Sequence, residues 1–124
     1  MNARILVIED NAASRELIAY LLRASGYEVA CATNAIDGLD TALSNVYDLV
    51  LSDILMPDMD GYEFARRFRA LRDGSKTPLI AVTALAMTGD REQILDSGFD
   101  GYVSKPIDPH KFAGQIASFL KTRG

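Results

Sequence analysis

Apolar positions along the chain follow two alternating patterns. Three compact runs, Arg4-Ile5-Leu6-Val7-Ile8, Asp48-Leu49-Val50-Leu51-Ser52 and Leu79-Ile80-Ala81-Val82-Thr83, are too short for helices and too continuous for strands with one wet face. They read as strands buried on both sides. Tyr27 to Ala32 and Gly101-Tyr102-Val103-Ser104 are weaker runs of the same kind. Between the runs, apolar residues recur at helical spacing: Leu17, Ile18, Leu21 and Leu22 within Ser14 to Leu22, then Ile36, Leu39, Ala42 and Leu43. Phe64, Phe68 and Leu71 form such a stripe within Gly61 to Leu71, and Phe112, Ile116, Phe119 and Leu120 form the last one.

Local stop and start signals sharpen these boundaries. Gly26 ends the first helix, and Asn34 is placed to cap the second. Met56-Pro57-Asp58 forces a turn after the third strand, and Asp60-Gly61-Tyr62-Glu63 has the spacing of an N-cap with a returning glutamate. Gly74 to Pro78 is a polar connection, Thr88-Gly89-Asp90 opens a short helix that stops at Gly98, and Asp108-Pro109 caps the last helix. Five strands therefore alternate with five helices. Right-handed crossovers turn that order into an α/β, flavodoxin-like (βα)5 doubly wound domain, a five-stranded parallel sheet in order 2-1-3-4-5 over residues 1–124.

Composition narrows the class. At 124 residues and 48% hydrophobic, one domain can bury a core without staples. The net charge of -4 argues against general affinity for nucleic acid or anionic membrane. The Arg66-Arg67-Phe68-Arg69 cluster reads as a solvated helix face near its C-terminal end. The single cysteine, Cys31, has no intrachain partner and is expected to be a small buried hydrophobe in a cytoplasmic protein. Ile5 to Ile8 is too short for a membrane span and is closed by acidic residues.

The chemistry collects where the strands end. Glu9-Asp10 follows the first strand, Asp53 the third, Thr83 closes the fourth and Lys105 follows the fifth, all on the carboxyl edge where open parallel sheets place their ligands. Each has an ordinary explanation alone; together they do not. Three converging carboxylates repel one another unless a cation joins them, and an all-oxygen donor set suits Mg²⁺. Three carboxylates against one Mg²⁺ and the Lys105 ammonium leave about zero charge, ready for a dianionic phosphoryl group. An aspartate carboxylate is a competent nucleophile toward phosphorus, and the Thr83 hydroxyl can donate to a phosphoryl oxygen.

Val7-Ile8-Glu9-Asp10-Asn11, Asp53 with Met56-Pro57 and Gly61, Val82-Thr83-Ala84, and Tyr102-Val103-Ser104-Lys105-Pro106 together resemble the receiver domain of two-component response regulators, from Ile5 to Leu120. The run Ala81 to Asp90 is also similar to that of single-domain cell-cycle regulators and of receivers in hybrid kinases. The resemblance implies that Asp53 is the phosphoacceptor, that Asp10 and Asp53 give carboxylate ligands to Mg²⁺, that Glu9 acts through a metal-bound water, and that Leu55 contributes its backbone carbonyl. Lys105 would pair with the phosphoryl group, directed by Pro106 through a cis bond, while Thr83 and Tyr102 would form the switch pair. A histidine kinase or phosphotransfer protein would dock near Asn11, Ser14 and the first helix. A downstream effector protein would read the helix from Gly89 to Ser97, the fifth strand and the last helix. The implied protein is a signalling switch without other enzyme activity, monomeric at rest and open to dimerisation when phosphorylated. It would be a stand-alone regulator, a phosphorelay shuttle, or a receiver belonging to a hybrid kinase or multidomain regulator.

Leu55 and Leu85 stand where polar residues often modulate dephosphorylation, and apolar side chains cannot orient an attacking water, so a long-lived phosphoaspartate is expected. His110 reads as a solvated surface residue. A flavin mononucleotide site would need a hydroxyl- and glycine-rich phosphate loop where Glu9-Asp10 stands. A haloacid-dehalogenase-type phosphohydrolase would need an aspartate two positions after Asp53, where Leu55 is.

Overall fold

The computed structural model describes residues 2–71, 76–84 and 88–121. The expected turn at Gly74 and the position of Leu85 lie outside the described residues. The elements are β1 (Arg4–Ile8), α1 (Ala12–Ala24), β2 (Glu28–Ala32), α2 (Ala35–Ser44), β3 (Leu49–Ser52), α3 (Gly61–Leu71), β4 (Leu79–Thr83), α4 (Thr88–Asp96), β5 (Gly101–Ser104) and α5 (Phe112–Lys121). The strands form one parallel sheet in the order β2-β1-β3-β4-β5. The expected fold is the observed one, and no helix among the described residues is long and apolar enough to cross a membrane.

Strand alternation divides the core in two. Ile5, Val7, Leu49, Leu51, Ile80 and Val82 face α1 and α5, meeting Ile18, Leu22, Phe112 and Ile116. Leu6, Ile8, Val50 and Ala81 face the other layer, meeting Ala35 and Ala42 of α2, Phe64 and Phe68 of α3, and Ile94 of α4. β1, β3 and β4 are thus buried on both faces, as their continuous apolar runs require.

Several helical positions depart from expectation. Ile36, expected on the core stripe of α2, is 57% exposed; the sheet side of that helix is made of Ala35, Gly38 and Ala42 instead. Gly38 lies so close to β1 that a Cβ there would come within 2.6 Å of Ile8 Cδ1, so small residues set the approach and the larger Ile36 is turned outward. Leu71, at the end of α3, and Leu17 of α1 are likewise exposed, while Tyr62 and Ala65 join the core. Asn11, Asn34 and Asp60 cap their helices through side-chain oxygens that accept from Ser14, Asp37 and Glu63 N–H groups. Glu63 does not return to its cap: it pairs with Arg66 and Arg67 one turn on, where two cations outweigh one backbone donor. The last helix opens at Phe112, one turn later than expected, but Asp108 still receives the Lys111 and Phe112 N–H groups at its carbonyl.

Two composition-based expectations are corrected. Arg69 is no solvated cation: it donates to the carbonyls of Gly98 and Thr77 and to Asp100 Oδ2, tying α3 to the start of β4 and to the approach to β5. Cys31 is exposed. Its strand is an edge strand, and α1 opposes it with Ala19 and Ala24, leaving a groove of about 550 Å³ also lined by Arg15, Tyr20 and Arg23. His110 is exposed, as expected.

Candidate functional site

The sheet ladder runs one residue beyond three strands and carries the site with it. Glu9 N–H donates to Ala32 O at 3.1 Å, Asp53 N–H to Ile8 O at 3.0 Å and Lys105 N–H to Thr83 O at 2.9 Å. Glu9, Asp53, Thr83 and Lys105 are thereby fixed on one rim by backbone bonds alone. Glu9 and Asp53 are buried, Thr83 is fully buried, Lys105 is half-buried and Asp10 is exposed at the mouth.

The Lys105 ammonium donates to Glu9 Oε1 at 2.6 Å and to Asp53 Oδ2 at 3.0 Å. Asp53 Oδ1 receives the N–H groups of Ile54 at 2.7 Å and Leu55 at 3.3 Å, while Glu9 Oε2 receives Asn11 N–H at 3.2 Å. Glu9, Asp10 and Asp53 each present a carboxylate oxygen, all within 4.8 Å of one another. Burial raises the pKa of Glu9, the neighbouring Asp53 charge adds to this, and the Lys105 bond only partly opposes it. Burial pulls Lys105 down, but its bonds to Glu9 and Asp53 outweigh that and hold it above the usual lysine range. The physical picture is consistent: the site holds its ammonium firmly and has more acid than one ammonium neutralises.

The structure brings together Glu9, Asp10, Asp53 and Lys105. Thr83 and Ser104 are register partners across β4 and β5, which puts Thr83 next to the strand that delivers Lys105. Tyr102 is half-buried against the α3 and α4 layer, with the Arg91 guanidinium 5.7 Å from its ring centroid. Leu55 is 58% exposed, so its apolar side chain stands at the rim and its N–H is the part bonded to Asp53. The Lys105–Pro106 peptide is cis.

Sequence reasoning missed Arg15 and Asp58. Arg15 Nη1 donates to the carbonyls of Glu9 at 2.9 Å and Asp10 at 3.4 Å. Asp58, in the turn after β3, accepts the Ala35 and Ile36 N–H groups at 3.2 and 2.9 Å and so caps a helix distant in sequence. The available signal was slight: an arginine one turn into α1, and an aspartate in a turn that has its own use for one.

A doubly wound domain with an acidic triad and a lysine on the rim is the arrangement of a receiver domain. The chain belongs to the response regulator receiver domain family, which it matches over residues 5–117. Among curated relatives it is 38% identical over 120 residues to the polar-differentiation response regulator DivK of Brucella anthropi, covering 97% of this chain and 98% of that one. Among solved structures it is similar to a CheY-like receiver domain protein from Methanospirillum hungatei, with a TM-score of 0.90, 31% identity, and coverage of 99% of this chain and 97% of that one. It is also similar to the receiver domain of the sensor histidine kinase PA1611 from Pseudomonas aeruginosa, whose structure has a magnesium ion coordinated in the active site cleft. The TM-score there is 0.88, with 33% identity and coverage of 98% and 99%.

Proposed function

We propose that the chain is a phosphorylation-activated switch that takes a phosphoryl group from a phosphohistidine onto Asp53. The observation that carries this is the junction of Glu9, Asp10 and Asp53 around an ammonium that bridges two of them. The donor set fits Mg²⁺: three carboxylates, two of them buried, with one ammonium to oppose them. Asp10 and Asp53, with the Leu55 carbonyl, would hold the ion and Glu9 would support it from the outer shell. When bound, it supplies positive charge to the phosphoryl oxygens.

Within that site an Asp53 carboxylate oxygen forms the new bond to phosphorus as the P–N bond to the donor imidazole breaks and its electron pair returns to the ring. The Ile54 and Leu55 N–H groups hold the carboxylate in place. Lys105, already bonded to Asp53, is positioned to pair with the incoming phosphoryl oxygens, leaving Glu9 with less opposing charge. The Thr83 hydroxyl moves toward the phosphoryl group and Tyr102 turns into the space it leaves, altering the face of α4, β5 and α5 that an effector protein reads. The donor, a histidine kinase or phosphotransfer protein, docks at Asn11, Ser14 and α1. Turnover is limited to the protein's own phosphorylation and dephosphorylation, and the setting is cytoplasmic. Likeness to a sensor-kinase receiver supports a second reading, in which the same chemistry serves a hybrid kinase or phosphorelay.

The test is nuclear magnetic resonance with Mg²⁺ and beryllofluoride, a phosphoryl mimic. Large shifts at Thr83 and Tyr102 that require both reagents are expected. A spectrum that changes only around Glu9 and Asp53 would refute the switch.

A further inference from the structure

The turn between β1 and α1 carries two of the three site carboxylates, and its backbone accounting closes in an unusual way. Glu9 N–H bonds to the edge strand, Asn11 accepts at the helix cap, and the carbonyls of Glu9 and Asp10 both receive Arg15 Nη1. Glu9's carboxylate is also anchored by Lys105 and by Asn11 N–H. Asp10 is exposed, and the reach of its carboxylate toward Asp53 depends on the direction of the turn from which it projects.

We infer that Arg15 is a positioning residue for this site: its guanidinium clamps the two carbonyls and so aims the carboxylates of Glu9 and Asp10 at Asp53. The inference rests on the reading of the acidic triad as the Mg²⁺ and phosphoryl site. It is built on α1, whose cap at Asn11 fixes where Arg15 starts, so helix and site share one clamp. Both carbonyls receive the same nitrogen, Nη1, so what arginine adds over lysine here is reach and a planar, pre-organised donor rather than a two-pronged grip.

Charge and position act in opposite directions, and this makes the inference testable. Removing a cation beside a Mg²⁺ site should tighten metal binding if electrostatics were all that mattered. Loss of a clamp on the ligand-bearing turn should weaken it, by about tenfold, the lower end for groups that orient metal ligands. The experiment is titration of the full chain with Mg²⁺ alone, by calorimetry, for the parent, Arg15→Met and Arg15→Lys, with amide exchange of Asn11 measured on metal-free protein. Expected are about tenfold weaker binding and faster Asn11 exchange in Arg15→Met, and an intermediate loss in Arg15→Lys, which also serves if Arg15→Met does not fold. Binding as tight as the parent's or tighter in the folded variants overturns the inference while leaving the site intact. A parent that binds no Mg²⁺ overturns the metal reading itself, and this inference with it.

Discussion

Replacing Gly61 by alanine separates local propensity from packing at the site. Gly61 opens α3, and its N–H donates to Ile54 O at 2.8 Å. A Cβ built there would lie 2.5 Å from Asp53 O, 2.7 Å from Ile54 Cα and 3.1 Å from Ile54 Cδ1. The first two are backbone atoms of the segment that presents Asp53, so relief requires the chain itself to move. Alanine would otherwise help, gaining up to about 1 kcal/mol from helix propensity and a stiffer unfolded chain. Forcing a methyl into a packed backbone contact costs about 1–3 kcal/mol, so with that gain taken in full a net loss of about 0–2 kcal/mol is expected. Gly114 in α5 supplies the control: nothing lies within 4 Å of its would-be Cβ, and its φ is not positive. Gly114→Ala is expected to stabilise by about 0.5–1 kcal/mol. Urea unfolding of the three proteins checks both signs, and phosphorylation by acetyl phosphate should be slower in Gly61→Ala alone. A Gly61→Ala variant as stable as Gly114→Ala would refute the reasoning.

Other perturbations test separate parts of the account. Burial is the largest single influence on Asp58 and pushes its carboxyl up, but the backbone N–H groups of Ile36, Ala35, Asp58 and Met59 together outweigh it and hold the carboxyl below the usual range. A depressed folded pKa stabilises above the unfolded value of about 3.9 and ceases to do so as pH falls through the folded pKa. Asp58→Ala should therefore cost about 0.5 kcal/mol at neutral pH, low for a cap because the site is solvent-screened, with the difference fading in acid; a pH-independent cost contradicts this. Lys105→Met leaves Glu9 and Asp53 facing each other and should cost about 3 kcal/mol without metal, with Mg²⁺ recovering more stability than in the parent. Equal losses with and without Mg²⁺ would show that the ammonium does not balance the triad. Leu55, exposed beside Asp53, should keep autodephosphorylation slow, and Leu55→Asn should speed decay of the phosphoprotein; slower decay would remove the argument from water orientation.

Much of this was legible from strand ends. β1, β4, β5 and the span of α3 match the expected boundaries because continuous apolar runs bounded by charge, glycine or proline leave little choice of phase. The rim residues followed from topology: once the sheet is parallel, Glu9, Asp53, Thr83 and Lys105 must share an edge. Helix faces were less legible. Periodicity gives weight to large side chains, yet α2 is set on the sheet by Ala35, Gly38 and Ala42, which turns Ile36 outward. Cys31 failed for a related reason: the expected strand order already put its strand at the edge, but apolar character does not reveal that α1 opposes it there with small residues. Arg15 was invisible because its partners are backbone carbonyls, and these have no identity in a sequence.

The central claim is that Asp53 accepts a phosphoryl group. Intact-mass spectrometry after incubation with acetyl phosphate tests it most directly, comparing the parent with Asp53→Asn, each with Mg²⁺ and with a chelator. The account predicts a single phosphoryl adduct on the parent, present only with Mg²⁺ and absent from Asp53→Asn. An adduct that survives the substitution, or one that forms equally well in chelator, would contradict it.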